Sequence, residues 1–293
     1  MDNIEIKLKF KTISSVILSP RVEKALYKGI DFKSIKNDDK TKMIYPFYSY
    51  CDRELDADKD YSKDDIDYYI PASSLKGALL CENKTEEKSI RSKILVKDIN
   101  RLKDNIKLDN LYKFQYLYEK KDNNEKNKTE TAQTSTATYD KKKYNNETNK
   151  IPKYTVFFPG VAIEMLESKK EFESEILMKS SEITEEIFMK KLNEVFVSTK
   201  NKLDNYLKET KERIEYTQAC VKEKLKKVEN NIKQLDSNKN MIFLSDYKGI
   251  LGSLSQSDLF QQNKEPRITN GFYIDEETLL PYGLVEVCPP NQV

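Results

Sequence analysis

The chain has 293 residues, of which 34% are charged, with 51 Lys and Arg against 49 Asp and Glu, a net charge of +2 and a mean hydropathy of −0.75. So many charges cannot all be buried, which excludes a chain that is mostly apolar core, yet 12 Phe and 18 Tyr exclude wholesale disorder. A charge so close to zero gives no global positive field, so any nucleic-acid contact has to be a local patch. The four cysteines, Cys51, Cys81, Cys220 and Cys288, form no CxxC pair, which fits a reducing cytosol and argues against a zinc or disulfide framework. There is no His, so the commonest general acid and base is missing and the prior for an enzyme falls. The start, MDNIEIKLKF, is no apolar signal core, and no run approaches the length of a membrane span. These features place the chain in the cytoplasm, with no membrane partner and no cofactor.

In chain order, Ile4, Ile6, Leu8 and Phe10 alternate with Glu5, Lys7 and Lys9, which predicts a half-buried first strand ending near Thr12. An irregular stretch follows, with Gly29 and Asn37-Asp38-Asp39-Lys40, then an apolar-aromatic patch from Met43 to Tyr50. Residues 52–67 are acidic and read as a solvated loop. Ile70-Pro71 then leads into ASSLKGALL, a short helix with Ser73 or Ser74 as its N-cap. Asn83 with Glu86 is a capping signal for another helix, and Ile90, Ile94, Leu95, Ile99, Leu102 and Ile106 follow helical spacing.

Residues 119–150 contain no Leu, Ile, Val, Met or Phe, so they cannot offset their ordering entropy by burial and read as a disordered polar insertion. The fold restarts at Tyr154 to Phe158, turns at Pro159-Gly160, and continues in a strand with Phe172, Ser174, Ile176 and Met178 on one side. Thr184 before Glu185 and Glu186 starts a helix that runs, with breaks, to about Leu235. Its stripe of Leu203, Leu207, Ile214, Val221, Leu225, Val228, Ile232 and Leu235 is heptad-like and reads as a helix packed on its own domain or folded back as a hairpin. Met241 to Leu244 and Leu284 to Val287 are the last strands. Helices and strands mix without regular alternation, so the fold class is α+β.

One segment carries the chemistry. Ser73, Ser74, Lys76 and Gly77 put two hydroxyls, a cation and a bare backbone at a helix start, where free N–H groups favour an anion such as phosphate. On those residues alone, a capped helix with a surface lysine is the plainer account.

The string Ile70 to Leu79, IPASSLKGAL, resembles the IPGSSLKGALR-type signature of the RAMP superfamily, the repeat-associated proteins of CRISPR effector complexes, with Ala72 for the usual Gly and Leu80 for the common Arg. The first strand and its loop are similar to the opening of a RAMP domain. Ser245 to Ser253, SDYKGILGS, resembles a thinned version of the family's glycine-rich loop, and LPYGLVEV resembles its closing strand, with Leu284 replacing an aromatic residue.

The resemblance implies a ferredoxin-like (RRM-like) fold, in two such halves, with a long helical insertion. Residues 1–118 would form the first half, 119–150 the polar insertion, and 151–293 the second half containing the helix 184–235. It also implies a non-catalytic subunit of a type III interference complex, most like the Csm-type protein that caps the guide RNA (crRNA) 3′ end. Its partners would be crRNA and neighbouring RAMP subunits, with no small-molecule substrate. Ser73, Ser74, Lys76 and Gly77 would hold phosphate, Lys248, Gly249, Gly252 and Ser253 would form a second contact, and Arg267 a third. A related subunit cleaves target RNA with an Asp in the loop after its first strand. Here Asp31, Asp38 and Asp39 lie in that loop without an alignable motif, so no catalytic and no metal-binding residue is assigned. The alternatives are a RAMP endoribonuclease and a structural scaffold whose long helix docks a partner.

Overall fold

The computed structural model describes residues 4–19, 24–50, 55–64, 66–80, 87–118, 150–178, 183–215, 217, 219–236, 239–253 and 271–288. The polar insertion, apart from Lys150, and the capping pair Asn83 and Glu86 lie outside them.

The first strand, β1 (Ile4–Thr12), alternates as its sequence requires, with Ile6, Leu8 and Phe10 buried and Lys7, Lys9 and Lys11 exposed. The short strands β2 (Leu26–Tyr27) and β3 (Met43–Tyr45) follow, then helices α1 (Ala72–Leu79) and α2 (Glu87–Lys93) and strand β4 (Ile94–Val96). Strands β5 (Ile106–Asp109), β6 (Tyr112–Tyr118), β7 (Lys150–Val156), β8 (Val161–Leu166) and β9 (Glu171–Met178) lead to the long helix α3 (Glu185–Glu215). The chain closes with α4 (Ala219–Gln234), β10 (Met241–Phe243), α5 (Gly249–Ser253), β11 (Phe272–Tyr273) and β12 (Leu284–Cys288).

The main sheet is antiparallel, in the order β10-β12-β1-β9-β4. It takes strands from both sides of the insertion, so the first and last parts of the chain share one sheet. Phe10 faces Phe172 in register, and their rings stack at 5.3 Å. Leu75, Ala78 and Leu79 of α1 and Phe188, Leu192, Val195 and Phe196 of α3 cover this face, with Ile176, Met178 and Ile242 in the same core cluster. Each of these side chains larger than alanine contributes roughly 1.5–3 kcal/mol when fully buried. The other face carries charge instead. Lys7, Lys9 and Lys11 meet Glu175, Glu173 and Glu171 at 3.9, 3.7 and 3.0 Å across the β1–β9 ladder. Pairs this exposed add little stability, but they cancel each other's field.

Two smaller sheets complete the architecture, β2-β3-β8-β5, with β3 and β8 parallel, and β11-β6-β7. The α+β class follows directly from this mixture of antiparallel sheets and helices. At the start of α3, the Thr184 hydroxyl accepts the Ile187 N–H at 3.3 Å, with Glu185 and Glu186 in the first turn, as the sequence predicts. The heptad-like stripe is the seam of a helical hairpin. Leu203 on α3 and Leu225, Val228 and Ile232 on α4 pack with Phe243, Phe272 and Ile274.

The helical reading of 90–106 is corrected. Helix α2 stops at Lys93, and Ile94, Leu95 and Val96 pair with Met178, Leu177 and Ile176 at the sheet edge. Ile99 exchanges backbone hydrogen bonds with Ile70 at 3.1 and 2.9 Å, Arg101 turns through the left-handed region at φ 64°, and Ile106 opens β5. Strand pairing with β9 and β8 overrides a spacing that both periods can satisfy over short apolar runs.

Candidate nucleic-acid interface

The N-cap of α1 is Pro71, not Ser73 or Ser74, and it makes no side-chain capping bond. Its carbonyl accepts the Ser74 and Leu75 N–H groups at 3.0 and 3.1 Å, while the Ala72 N–H donates to Asp98 Oδ1 at 2.6 Å. A carboxylate from the β4 side therefore does what the serine hydroxyl was expected to do. Tyr50 also donates to Asp98, at 2.7 Å, and stacks on Tyr69 with ring centres 3.9 Å apart. The helix start already faces a negative charge, so it is a poor seat for a phosphate.

The solvent side of α1 is a different matter. Ser73 and Gly77, one turn apart, are exposed, and Ser74 is half-buried. A Cβ built on Gly77 meets nothing within 4 Å. This side of the helix offers a hydroxyl and an uncovered backbone to any approaching chain. Lys76 points elsewhere: its Nζ donates to the Ile94 carbonyl at 2.6 Å, tying α1 to the edge strand β4. Burial, then the charge of Arg91, hold its ammonium below the ordinary lysine value. Arg91 Nη2 in turn donates to the Leu80 carbonyl at 3.1 Å. An edge strand whose outward carbonyl is occupied by a lysine is protected from unwanted pairing.

The glycine loop has a packing role in this fold. Ser245 is buried and donates to the Ile17 carbonyl at 3.2 Å, and the Lys248 carbonyl accepts the Tyr206 hydroxyl at 2.6 Å. Gly249 sits at φ +66°, where a Cβ would touch the Tyr273 ring at 3.4 Å. At Gly252 a Cβ would lie 2.8 Å from Lys248 Cβ and 3.3 Å from the Tyr206 hydroxyl, so the glycine lets α5 close on α3. Ser253 ends α5, and Arg267 lies outside the described residues. The two predicted contacts are not brought together. Helix α1 shares a core with Leu192, whereas Leu251 of α5 shares one with Tyr206, about four turns or roughly 20 Å further along α3.

Sequence reasoning passed over one cluster. Lys113 Nζ lies 4.1 Å from the Phe157 ring centre and 5.0 Å from that of Tyr273, and Phe158 packs on Phe157 at 4.1 Å. Tyr247, beside the predicted Lys248, meets Tyr273 edge-on at 5.9 Å. The signal was present in the alternation of aromatics and lysines in YKFQYLY and KYTVFF, but only strand register joins the two segments.

Compared with known proteins, the chain matches no family model and no curated protein.

Proposed function

We propose that this chain is a non-catalytic RNA-binding subunit of a type III CRISPR effector complex. It supports the 3′ end of the guide RNA through contacts that do not read sequence, and it docks on neighbouring RAMP subunits. The observation that carries this reading is the path through the main sheet. With other elements intervening, the chain supplies β1, α1, β4, β9, α3 and β12 to this layer in that order, with spatial order β12-β1-β9-β4 and both helices on one face. This order supports a ferredoxin-like reading of the main sheet, with β10 added outside and the RAMP-like string IPASSLKGAL leading into and forming its first helix. The exposed Ser73 hydroxyl and the open space over Gly77 on the solvent side of α1, away from the Asp98-capped end, suit close approach of an RNA backbone without base selection.

The aspartates after the first strand favour this over cleavage. Asp31 Oδ2 accepts the Tyr27 N–H at 2.7 Å, and Asp38 accepts the Lys40 and Thr41 N–H groups and the Thr41 hydroxyl. The Thr41 hydroxyl bond holds the Asp38 carboxyl below its ordinary value. Both side chains cap their own turns.

Lys76 is a poor test residue, since its loss would also loosen β4. Ser73→Glu is better: the side chain is exposed, so a carboxylate there is solvated and repels an RNA backbone without removing a packing contact. Purified from cells co-expressing the genomic neighbours, the tagged Ser73→Glu chain is expected to retain about tenfold less RNA than wild type. Equal retention, with the complex intact, would contradict the reading.

A further inference from the structure

Three cations rest over aromatic rings among the described residues, and their counter-charges differ. Lys224 Nζ lies 3.9 Å from the Tyr154 ring centre and 2.5 Å from Glu276 Oε2. The Arg213 guanidinium lies 4.6 Å from the Phe272 centre and 3.1 Å from Glu209. Lys113, over Phe157 and Tyr273, has no ion pair with a carboxylate of the described residues. It is half-buried, and burial alone holds its ammonium below the ordinary lysine value. Among the described residues, then, a cation is desolvated here with no opposite charge beside it.

The surroundings indicate what would supply it. In the β11-β6-β7 sheet, Phe272, Phe114 and Tyr154 line up across the strands and face the core. The alternate row is Tyr273, Lys113 and Thr155, followed by Gln115 and Lys153. This second face carries two lysines and no carboxylate in those rows, unlike the main sheet, where each outward lysine of β1 meets a glutamate. Past the end of β7, Phe157 contacts both Lys113 and Phe158, and Phe158 is 38% exposed. A cation one ring away from an exposed ring suits a ligand with an anion and a flat π face in one repeating unit, which is a single-stranded nucleic acid. An acidic peptide would answer the charge but leave the ring unused.

We infer that this face is a contact for a single RNA strand, in which Lys113 takes a phosphate and a base stacks on Phe158. The inference rests on the RNA-binding reading above and adds a location and a stacking mode. It also accounts for the position of the glycine loop, since Tyr247 and Gly249 both border Tyr273.

The test is fluorescence anisotropy of a labelled oligouridylate with the full chain, compared with Lys113→Ala, Lys113→Arg, Phe158→Ala and Lys9→Ala. Lys113→Ala and Phe158→Ala are each expected to weaken binding about five- to tenfold. Lys113→Ala also lowers the slope of log affinity against log salt by about 0.7, the share of one single-strand phosphate contact. Lys113→Arg restores that slope, and Lys9→Ala, on the neutral face, changes nothing. Unfolding midpoints of the variants separate binding loss from misfolding, and photocrosslinking wild type to the same RNA should mark the peptide containing Phe157 and Phe158. RNA binding that survives both alanine variants, or crosslinks only to α1, overturns this contact and leaves the RNA-binding reading standing. No binding by wild type at any salt overturns both.

Discussion

Glu164→Ala is expected to lower the stability of the folded chain by about 3–5 kcal/mol, because it takes away the acceptor shared by one buried N–H and two tyrosine hydroxyls, at about 1–3 kcal/mol for each donor. Glu164 lies on β8 with no solvent exposure. Its Oε2 accepts the Phe47 N–H at 2.7 Å, and its Oε1 accepts the hydroxyls of Tyr61 and Tyr68. Tyr68 is itself fully buried, so its hydroxyl would find no water to replace the carboxylate. These bonds anchor the irregular chain between β3 and α1, a stretch too poor in regular structure to hold itself. The loss should therefore also disturb the presentation of Ser73 and Gly77. Glu164→Gln keeps the volume but turns an amide N–H₂ toward a donor, so it should cost less than alanine and more than a surface change. Urea unfolding checks both, with a shifted midpoint and an unchanged slope. A midpoint for Glu164→Ala equal to that of wild type would mean the carboxylate does not anchor this segment.

The second large effect is expected at Gly283, just before β12. Its φ is +82°, and a Cβ there would overlap Ser245 Cβ and lie 2.7 Å from the Leu244 carbonyl oxygen. Gly283→Ala combines left-handed strain with overpacking against backbone, together about 3 kcal/mol. Gly29 provides the comparison. Its φ is +80°, but nothing lies within 4 Å of a built Cβ, so Gly29→Ala should cost only the conformational share, about 1 kcal/mol. Equal unfolding midpoints for the two variants would show that the crowding at Gly283 relaxes without cost. The difference matters for the interface, because Leu244 and Ser245 begin the loop that carries Tyr247 to the aromatic face.

Those two sites also mark the limits of what the sequence reveals. Strands β1 and β9 were legible because one face is core and the other water, so Ile6, Leu8, Phe10 and Phe172, Ile176, Met178 alternate cleanly. The start of α3 was legible because Thr184 and the two glutamates act within one turn, and the hairpin because its stripe is long. What failed depended on partners distant in sequence. Ile94 to Val96 became a strand because β9 offered an edge, and the cap of α1 passed to Asp98, which sits 26 residues from Ala72. Lys76 reads as a surface cation until β4 folds beneath it and takes its ammonium. Glu164 reads as one more charge in a charged chain, and only the fold encloses it.

The candidate interface divides in the same way. A contiguous string located α1, and the exposed Ser73 and Gly77 remain available for the role expected of them. Lys113, Phe157, Phe158 and Tyr273 come from three separate stretches that β-pairing and packing bring together. Motif reading favours contiguous sites, whereas a stacking platform on a sheet is written across strands. The glycines of the 245–253 loop illustrate the converse, since the space they leave is filled by Tyr206 and Tyr273.

The central claim is that the chain supports the 3′ end of a guide RNA. It is tested most directly by sequencing the 3′ ends of RNA that co-purifies with the complex assembled from the genomic neighbours, with and without this chain. The account predicts guide RNAs with one defined 3′ boundary when the chain is present, and shorter, ragged ends when it is omitted or carries Ser73→Glu. Identical 3′ ends in its absence, on a complex that still assembles, would contradict the account and leave the chain as a scaffold.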